Sequence, residues 1–531
     1  MSNLGFQTVY HLLNTIEDVV CERSFLPEDR DSRSASVTSI ESGRPISVFD
    51  VIAFSISYEN DYPNLLVILD KAGIPLRSSD RGSPHPLVIA GGVACFSNPE
   101  PISRFVDCFL IGEAEAILPR FFEAFDHHAE RQLCLKTIAG CIPGTYVPEF
   151  YHAIYDPEGC FHGLEPVADM PAKIERVFVK DLAQVSTCSA ILTPHTTFDR
   201  TFLIEVARGC PHGCRFCSAG FIYRPPRFRP VSLLKKNIQQ GLALTSKIGL
   251  LGAAVSDHPG IHELCKTVLH EDIHISFSSL RADALSPELL TTLKQSKVKT
   301  ATIAPDAGSQ RMRDVINKGI TEEQILNASE MLVKCGIPNL KLYFMIGLPT
   351  ETRDDVEAIV MLCKQIKHRF LKSSRIRKRI GEITVSLNCF VPKPLTPFQW
   401  VAMDDVQTLK NKIRKIKDGL KRVANVRVHA DVPRWAYIQA MFSRGDRKVA
   451  QILMLAHENR GNWIKTLNTS PVNPDYYVVR ERSIDECLPW DFIDHGINKQ
   501  FLAREYQRAL EGKPSLPCPL QDCTLCGVCT K

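Results

Sequence analysis

Residues 202–217 read FLIEVARGCPHGCRFC. The opening run is short and apolar, as a buried strand is, and it leads straight into a loop carrying Cys210, Cys214 and Cys217 at Cys-x3-Cys-x2-Cys spacing. Three thiolates spaced in this way can wrap three irons of a cubane and leave the fourth iron without a protein ligand. A structural zinc knuckle with His212 as fourth ligand is the competing use. Strands are expected near 202–207, 248–255, 273–279, 299–304, 340–346 and 382–389. Helices alternate with them near 231–245, 261–270, 286–296, 309–335 (broken at Gly319), 352–370 and 403–422. Six β/α units make a partial (β/α)6 barrel, whose ligand sites gather at the C-terminal ends of the strands. The cysteine loop stands at the end of the first strand, a position that a zinc knuckle has no need of.

Upstream, Phe49–Ser57, Pro86–Gly91 and Val106–Ile111 are short apolar runs, with a helix over Asn64–Ala72 between the first two. That alternation predicts a parallel sheet in a Rossmann-like layer fold over residues 1–126. A proline-containing, β-rich connector follows over 127–200, the barrel over 201–430, and a mixed C-terminal region over 431–531. The chain has 531 residues, 44% of them hydrophobic and 23% charged, enough to build two or three folded units and too ordered in composition for a disordered protein. A net charge of +5 is modest at this length and does not by itself imply nucleic acid. No apolar run approaches the roughly 18 residues of a membrane span, and Met1–Val20 lacks the layout of a signal peptide. No membrane association and a cytoplasmic location are therefore expected, with the 19 cysteines as reduced thiols or metal ligands.

With Phe216 before its third cysteine, the loop resembles that of the radical S-adenosylmethionine (SAM) superfamily, and segments at the later strand ends agree. Leu250–Asp257 (LLGAAVSD), Ser278–Arg281 (SSLR), Ala304–Gln310 (APDAGSQ), Met345–Glu351 (MIGLPTE) and Val391–Trp400 (VPKPLTPFQW) fall in the family's order, with Asp306 where relatives more often carry Glu. The resemblance implies a [4Fe–4S] cluster on the three cysteines that binds SAM and cleaves it reductively. It places Phe216 over the cluster and adenine, Gly252 and Asp257 along the SAM pocket, Ser279 and Arg281 on SAM, and Ile346 in the segment flanking adenine. The whole chain resembles a branch with an N-terminal cobalamin-binding-type domain and a cysteine-rich tail. It departs from that branch in having no Asp-x-His-x-x-Gly after a first strand, since Asp126-His127-His128 lies at the far end of the domain and lacks the glycine. Met1 also falls where relatives are already leaving strand one, so that strand is missing or the start was assigned late. Ser55, Ser57 and Gly91-Gly92 would let a corrin ring approach the backbone, and tight strand-to-helix turns ask for the same small residues. Bound cobalamin and an empty domain both remain open on this reading.

The tail carries Cys518, Cys523, Cys526 and Cys529 at Cys-x4-Cys-x2-Cys-x2-Cys spacing, with Gly527 allowing a tight turn. Four thiols so close are poor core material. A second [4Fe–4S] cluster is preferred over a four-thiolate zinc site, and an uncommitted flexible tail is the bland alternative. Two runs, Lys364–Arg379 and Lys410–Arg422, are strongly basic and fall on or beside barrel helices, either as solvated faces or as an RNA-contacting patch. The expected function is SAM-dependent radical modification of a substrate, an RNA or a protein, by methylation or sulfur insertion. A flavodoxin or ferredoxin would supply the electron. The alternatives are a cobalamin-dependent radical methylase of a small metabolite and a non-catalytic iron–sulfur scaffold or sensor.

Overall fold

The computed structural model describes residues 2–27, 36–167, 169–268, 273–278, 280–374, 381–520 and 523–530. The three apolar runs of the N-terminal region form β1 (Val51–Ser55), β2 (Leu87–Gly91) and β3 (Cys108–Leu110), all parallel, and β4 (Thr145–Tyr146) joins β3 antiparallel. The helix between β1 and β2 spans Tyr62–Lys71, with Pro63 in its first turn, where a missing N–H costs nothing. β1 is an edge strand of this sheet.

All six strands expected downstream form, in two parallel sheets. β5 (Phe202–Glu205), β6 (Lys247–Leu251) and β7 (His274–Phe277) pair in consecutive order. So do β8 (Thr300–Asp306), β9 (Asn339–Ile346), β10 (Ile383–Cys389) and a seventh strand, β11 (Val426–Ala430). The fold is thus mixed α/β with parallel sheets. β11 escapes the pattern because VRVHA alternates charged with apolar residues, and its side chains are only partly buried or exposed. In β9, Leu340, Leu342, Phe344 and Ile346 are fully buried while the residues between them are half-buried. The pleat therefore puts the Ile346 side chain in the core, and Met345 on the opposite face.

A continuous apolar core runs from the N-terminal sheet through both parallel sheets into the C-terminal helices. Polar ties reinforce it. The Glu100 carboxylate, fully buried, accepts from the Tyr146 hydroxyl at 2.5 Å and from Arg447 Nε at 3.1 Å. Ile493–Asp494 pairs as a short parallel strand with Ile174–Glu175, closing the C-terminal region onto the connector. The helices Arg353–Ser374 and Val406–Leu420, which hold most of the described part of the two basic runs, pack side by side; residues 375–380 lie outside the described residues. Three of their cations are paired internally: Arg369 with Glu323 and Glu330, Lys412 with Glu351 and Asp404, Lys415 with Glu357. Among the described residues no helix is long and apolar enough to cross a membrane.

Candidate active site

The cysteine loop begins where β5 ends. Its entry needs glycine at 209, where φ is +86° and an added Cβ would lie 2.8 Å from the Tyr223 carbonyl oxygen. Cys214 is buried, and Cys210 and Cys217 are partly so. Burial pushes the Cys210 thiol up to about 11 and Cys214 up to about 12, and the Cys217 charge adds to both. Backbone N–H groups act the other way, that of His212 on Cys210 and those of Ala219 and Gly220 on Cys217. Fixed cations do so too: Lys318 lowers Cys214 and Cys217, and Arg281 lowers Cys210 and Cys214. Lys318 Nζ lies 2.5 Å from the Asp306 carboxylate, which with the Cys214 thiolate keeps the lysine charged against the pull of burial.

The residues expected on SAM surround this loop unevenly. Asp257 Oδ2 lies 2.6 Å from His212 Nε2, so the imidazole once weighed as a zinc ligand is held by a carboxylate. Gly252 N–H donates to Ser278 Oγ at 3.1 Å, tying the ends of β6 and β7 together. The Arg281 guanidinium is turned toward the loop, and donates from Nε and Nη2 to Asp283 at 3.0 Å each and from Nη2 to the Lys318 carbonyl at 3.3 Å. Phe216 is half-buried against the core. Ser279 lies outside the described residues. Ile346, as noted, gives its side chain to the core.

Sequence reasoning passed over two groups. Arg215, between two of the cysteines, is fully buried and donates to the carbonyls of Asp314, Val315 and Lys513, to Ser515 Oγ and to Glu505. Arg208, just before the loop, pairs with Glu113 at 2.7 Å, Glu115 at 2.9 Å and Glu205 at 2.8 Å, locking the end of β5 to the N-terminal region. Apart from Glu205, three residues before Arg208, their partners lie so far off in sequence that there is no spacing to read.

A cavity of about 1540 Å³ opens between the two regions. Ser55, Ser57, Gly91 and Gly92 line one side, Arg208, Gly209, Gly252 and Ala253 another. Gly92 has its own reason to be small: an added Cβ would lie 2.4 Å from the Ile56 carbonyl oxygen.

The tail folds back onto the cysteine loop. Cys518 N–H donates to the Pro211 carbonyl at 2.8 Å. Cys523 and Cys526 are buried, Cys518 is partly so and Cys529 is exposed; burial, then the neighbouring Cys526, Cys518 and Cys523, push the Cys529 thiol upward. Among the described residues no three His, Cys, Asp or Glu side chains converge tightly enough for a single metal ion, at the loop or at the tail.

Two family descriptions match the chain: "Radical SAM proteins, N-terminal" over residues 5–148 and "Radical SAM superfamily" over residues 204–363. An uncharacterized protein of Methanocaldococcus jannaschii is 33% identical over 426 residues, 79% of this chain and 83% of that one. An uncharacterized methyltransferase of Pyrococcus horikoshii is 26% identical over 171 residues, 31% of this chain and 37% of that one. The apo structure of the cobalamin-dependent SAM radical enzyme OxsB aligns with a TM-score of 0.36 and 16% identity, covering 59% of this chain and 43% of that chain. The family implies a [4Fe–4S] cluster and SAM. With both of its regions matched and a three-cysteine loop at the end of β5, this chain belongs to the radical SAM superfamily and is a radical SAM enzyme.

Proposed function

We propose that Cys210, Cys214 and Cys217 hold the cluster and that the enzyme modifies a substrate admitted through the large cavity, by methylation or sulfur insertion. The observation that carries this is the loop: three thiols on eight consecutive residues, with Cys217 within electrostatic reach of both others, backbone N–H groups on Cys210 and Cys217, and Arg281 and Lys318 facing them. When bound, cluster and SAM supply one-electron cleavage of a sulfonium C–S bond and a radical able to abstract hydrogen. The protein's part is to hold, charge and shield. Lys318 and Arg281 offset the negative charge of the thiolates, and Arg281 is placed to share its guanidinium between Asp283 and the SAM carboxylate. Asp257 fixes His212 beside Cys210, and Phe216 shields one side of the loop. The name of the P. horikoshii relative supports methylation.

The two parallel sheets are read as the halves of a partial (β/α)6 barrel lengthened by β11, and β1–β3 as strands of a cobalamin-binding-type domain. Their parallel, consecutive order supports both. A corrinoid in the cavity is the second reading, favoured by the position of the cavity at the ends of β1 and β2 facing the cysteine loop. The four tail cysteines are read as holding a second [4Fe–4S] cluster.

Anaerobic reconstitution with iron, sulfide, cobalamin, SAM and dithionite tests this reading. 5′-Deoxyadenosine should form. Its absence would sink radical cleavage, and corrinoid retained through gel filtration would establish the second reading.

A further inference from the structure

The docking of the tail is specific. Arg215 reaches from the cysteine loop to the Lys513 carbonyl at 2.7 Å and to Ser515 Oγ at 3.2 Å. Asn317 bridges the two segments, donating to the Gly213 carbonyl at 3.1 Å and accepting from Ser515 N–H at 2.8 Å. Farther along, Asn498 N–H donates to the Cys526 carbonyl at 2.8 Å. These contacts bring Cys518 to Pro211, the neighbour of Cys210. Four tail thiolates would complete the protein ligation of a cubane and leave no iron open to a substrate, so such a centre is suited to electron transfer.

The outer side of the tail is unlike a solvated terminus. Leu516 is 91% exposed, Leu525 64% and Leu520 37%. Exposed apolar residues grouped in one short segment mark an interaction site. Basic side chains accompany them: Arg504 and Arg508 are exposed, Arg504 reaching the Leu525 carbonyl and Arg508 the Pro514 carbonyl, and Lys513 follows. Of the nearby acids, Glu505 is shared by the buried Arg215, by Ser515 and, at 4.0 Å, by Arg508, and Glu511 pairs with Lys513 at 2.8 Å; with Arg504, the four cations outnumber these two carboxylates. An apolar patch amid net positive charge fits an acidic protein partner.

We propose that electrons enter this enzyme through its tail. An acidic one-electron carrier protein docks on Leu516, Leu520 and Leu525 among Arg504, Arg508 and Lys513. A centre held by Cys518, Cys523, Cys526 and Cys529 then relays its electron past Pro211 to the cysteine loop. This rests on the reading that the tail holds a cubane. No bond forms or breaks. The carrier is oxidised by one electron, the tail centre is reduced and reoxidised, and the loop centre ends reduced by one.

The test uses the full chain, reconstituted anaerobically, as the parent and as Leu516→Asp, Cys526→Ser and Cys529→Ser. Iron and zinc content, binding of a fluorescently labelled flavodoxin, and 5′-deoxyadenosine formation are measured, the last with dithionite and with photoreduced flavodoxin. The parent should hold about eight irons, from two cubanes of about four each. Leu516→Asp should keep that iron and its dithionite-driven rate. It should bind flavodoxin about tenfold more weakly, since like charge at a rim repels, and parental binding should weaken as salt rises. The two cysteine variants should lose about four irons, and their flavodoxin-driven rate relative to the dithionite-driven one should fall about tenfold or more, as for a lost relay. Eight irons in the parent with the same rate ratio in the cysteine variants overturns the relay and leaves the tail cluster standing. Unchanged flavodoxin binding by Leu516→Asp overturns the docking site. Four irons in the parent, or zinc lost from the cysteine variants, overturns the tail cluster and the relay with it.

Discussion

Cys214 shows at the scale of one residue what the proposed cluster would change. Burial, joined by the charges of Cys217 and Asp306, pushes its thiol up to about 12 even though Lys318 and Arg281 pull the other way. Coordination deprotonates a thiol outright. Cys210→Ala, Cys214→Ala and Cys217→Ala should each abolish 5′-deoxyadenosine formation and lower iron content while the circular dichroism spectrum is retained; cleavage at the parental rate in any of them would refute the assignment. Arg281 makes a different case. Its side chain is held by Asp283 and the Lys318 carbonyl, so it is fixed before SAM arrives. Arg281→Ala should weaken SAM binding by about 1.5–3 kcal/mol, the range of a charged hydrogen bond. Equilibrium dialysis giving the parental Kd would remove Arg281 from the SAM site.

Among elements, local pattern and long-range contact part company. The strands and helices were legible because apolar runs alternate with amphipathic stretches, and the cysteine loop because three cysteines sit within eight residues, Cys210–Cys217. β11 was not legible, since a half-buried edge strand with Arg427 and His429 has no apolar signature. The side of β9 that Ile346 faces depends on register, which apolar content alone does not set. Arg215 was read as nothing in particular because its partners lie up to 300 residues away, and Arg208 because, Glu205 apart, its acidic partners are more than 90 residues away. Yet Arg215 joins the cysteine loop, the Gln310–Val315 helix and the segment after the Lys499–Leu510 helix. Arg215→Met should cost about 3–5 kcal/mol, as expected when one partner of a buried pair is removed. It should also raise the protease sensitivity of the tail. Thermal unfolding at the parental midpoint would show that the tail is held by other means.

Across the whole molecule, His495 ties three parts together. It comes from the C-terminal region, donates from Nε2 to the Phe96 carbonyl of the N-terminal region at 2.7 Å, and lies against the Ile222 backbone just beyond the cysteine loop. Burial, then the charge of Arg176, hold its pKa at about 3, against 6.5 for an ordinary imidazole. The unfolded chain therefore takes up this proton first. The stabilisation is complete above pH 6.5 and drains away as pH falls toward 3. Its slope is up to about 1.4 kcal/mol per pH unit for one proton. Denaturant titrations between about pH 7.5 and 5 should show that loss, and His495→Gln should flatten it; an unchanged slope in the variant would assign the effect to other groups.

The contact between Cys518 and Pro211 also sets an order of assembly. Arg215 and Ser515 lie 300 residues apart, so at about 5–20 residues per second a ribosome makes the cysteine loop at least 15 s or so before the segment that covers it. During that interval the nascent loop stands open, its thiols accessible to whatever delivers iron and sulfide. Closure follows only when the later segment emerges and docks. Loading would therefore be easiest on the growing chain and slower on the finished one. Stalled ribosome complexes should show this directly. Nascent chains ending before residue 510 should react at Cys210 and Cys217 with a bulky maleimide faster than full-length chains do.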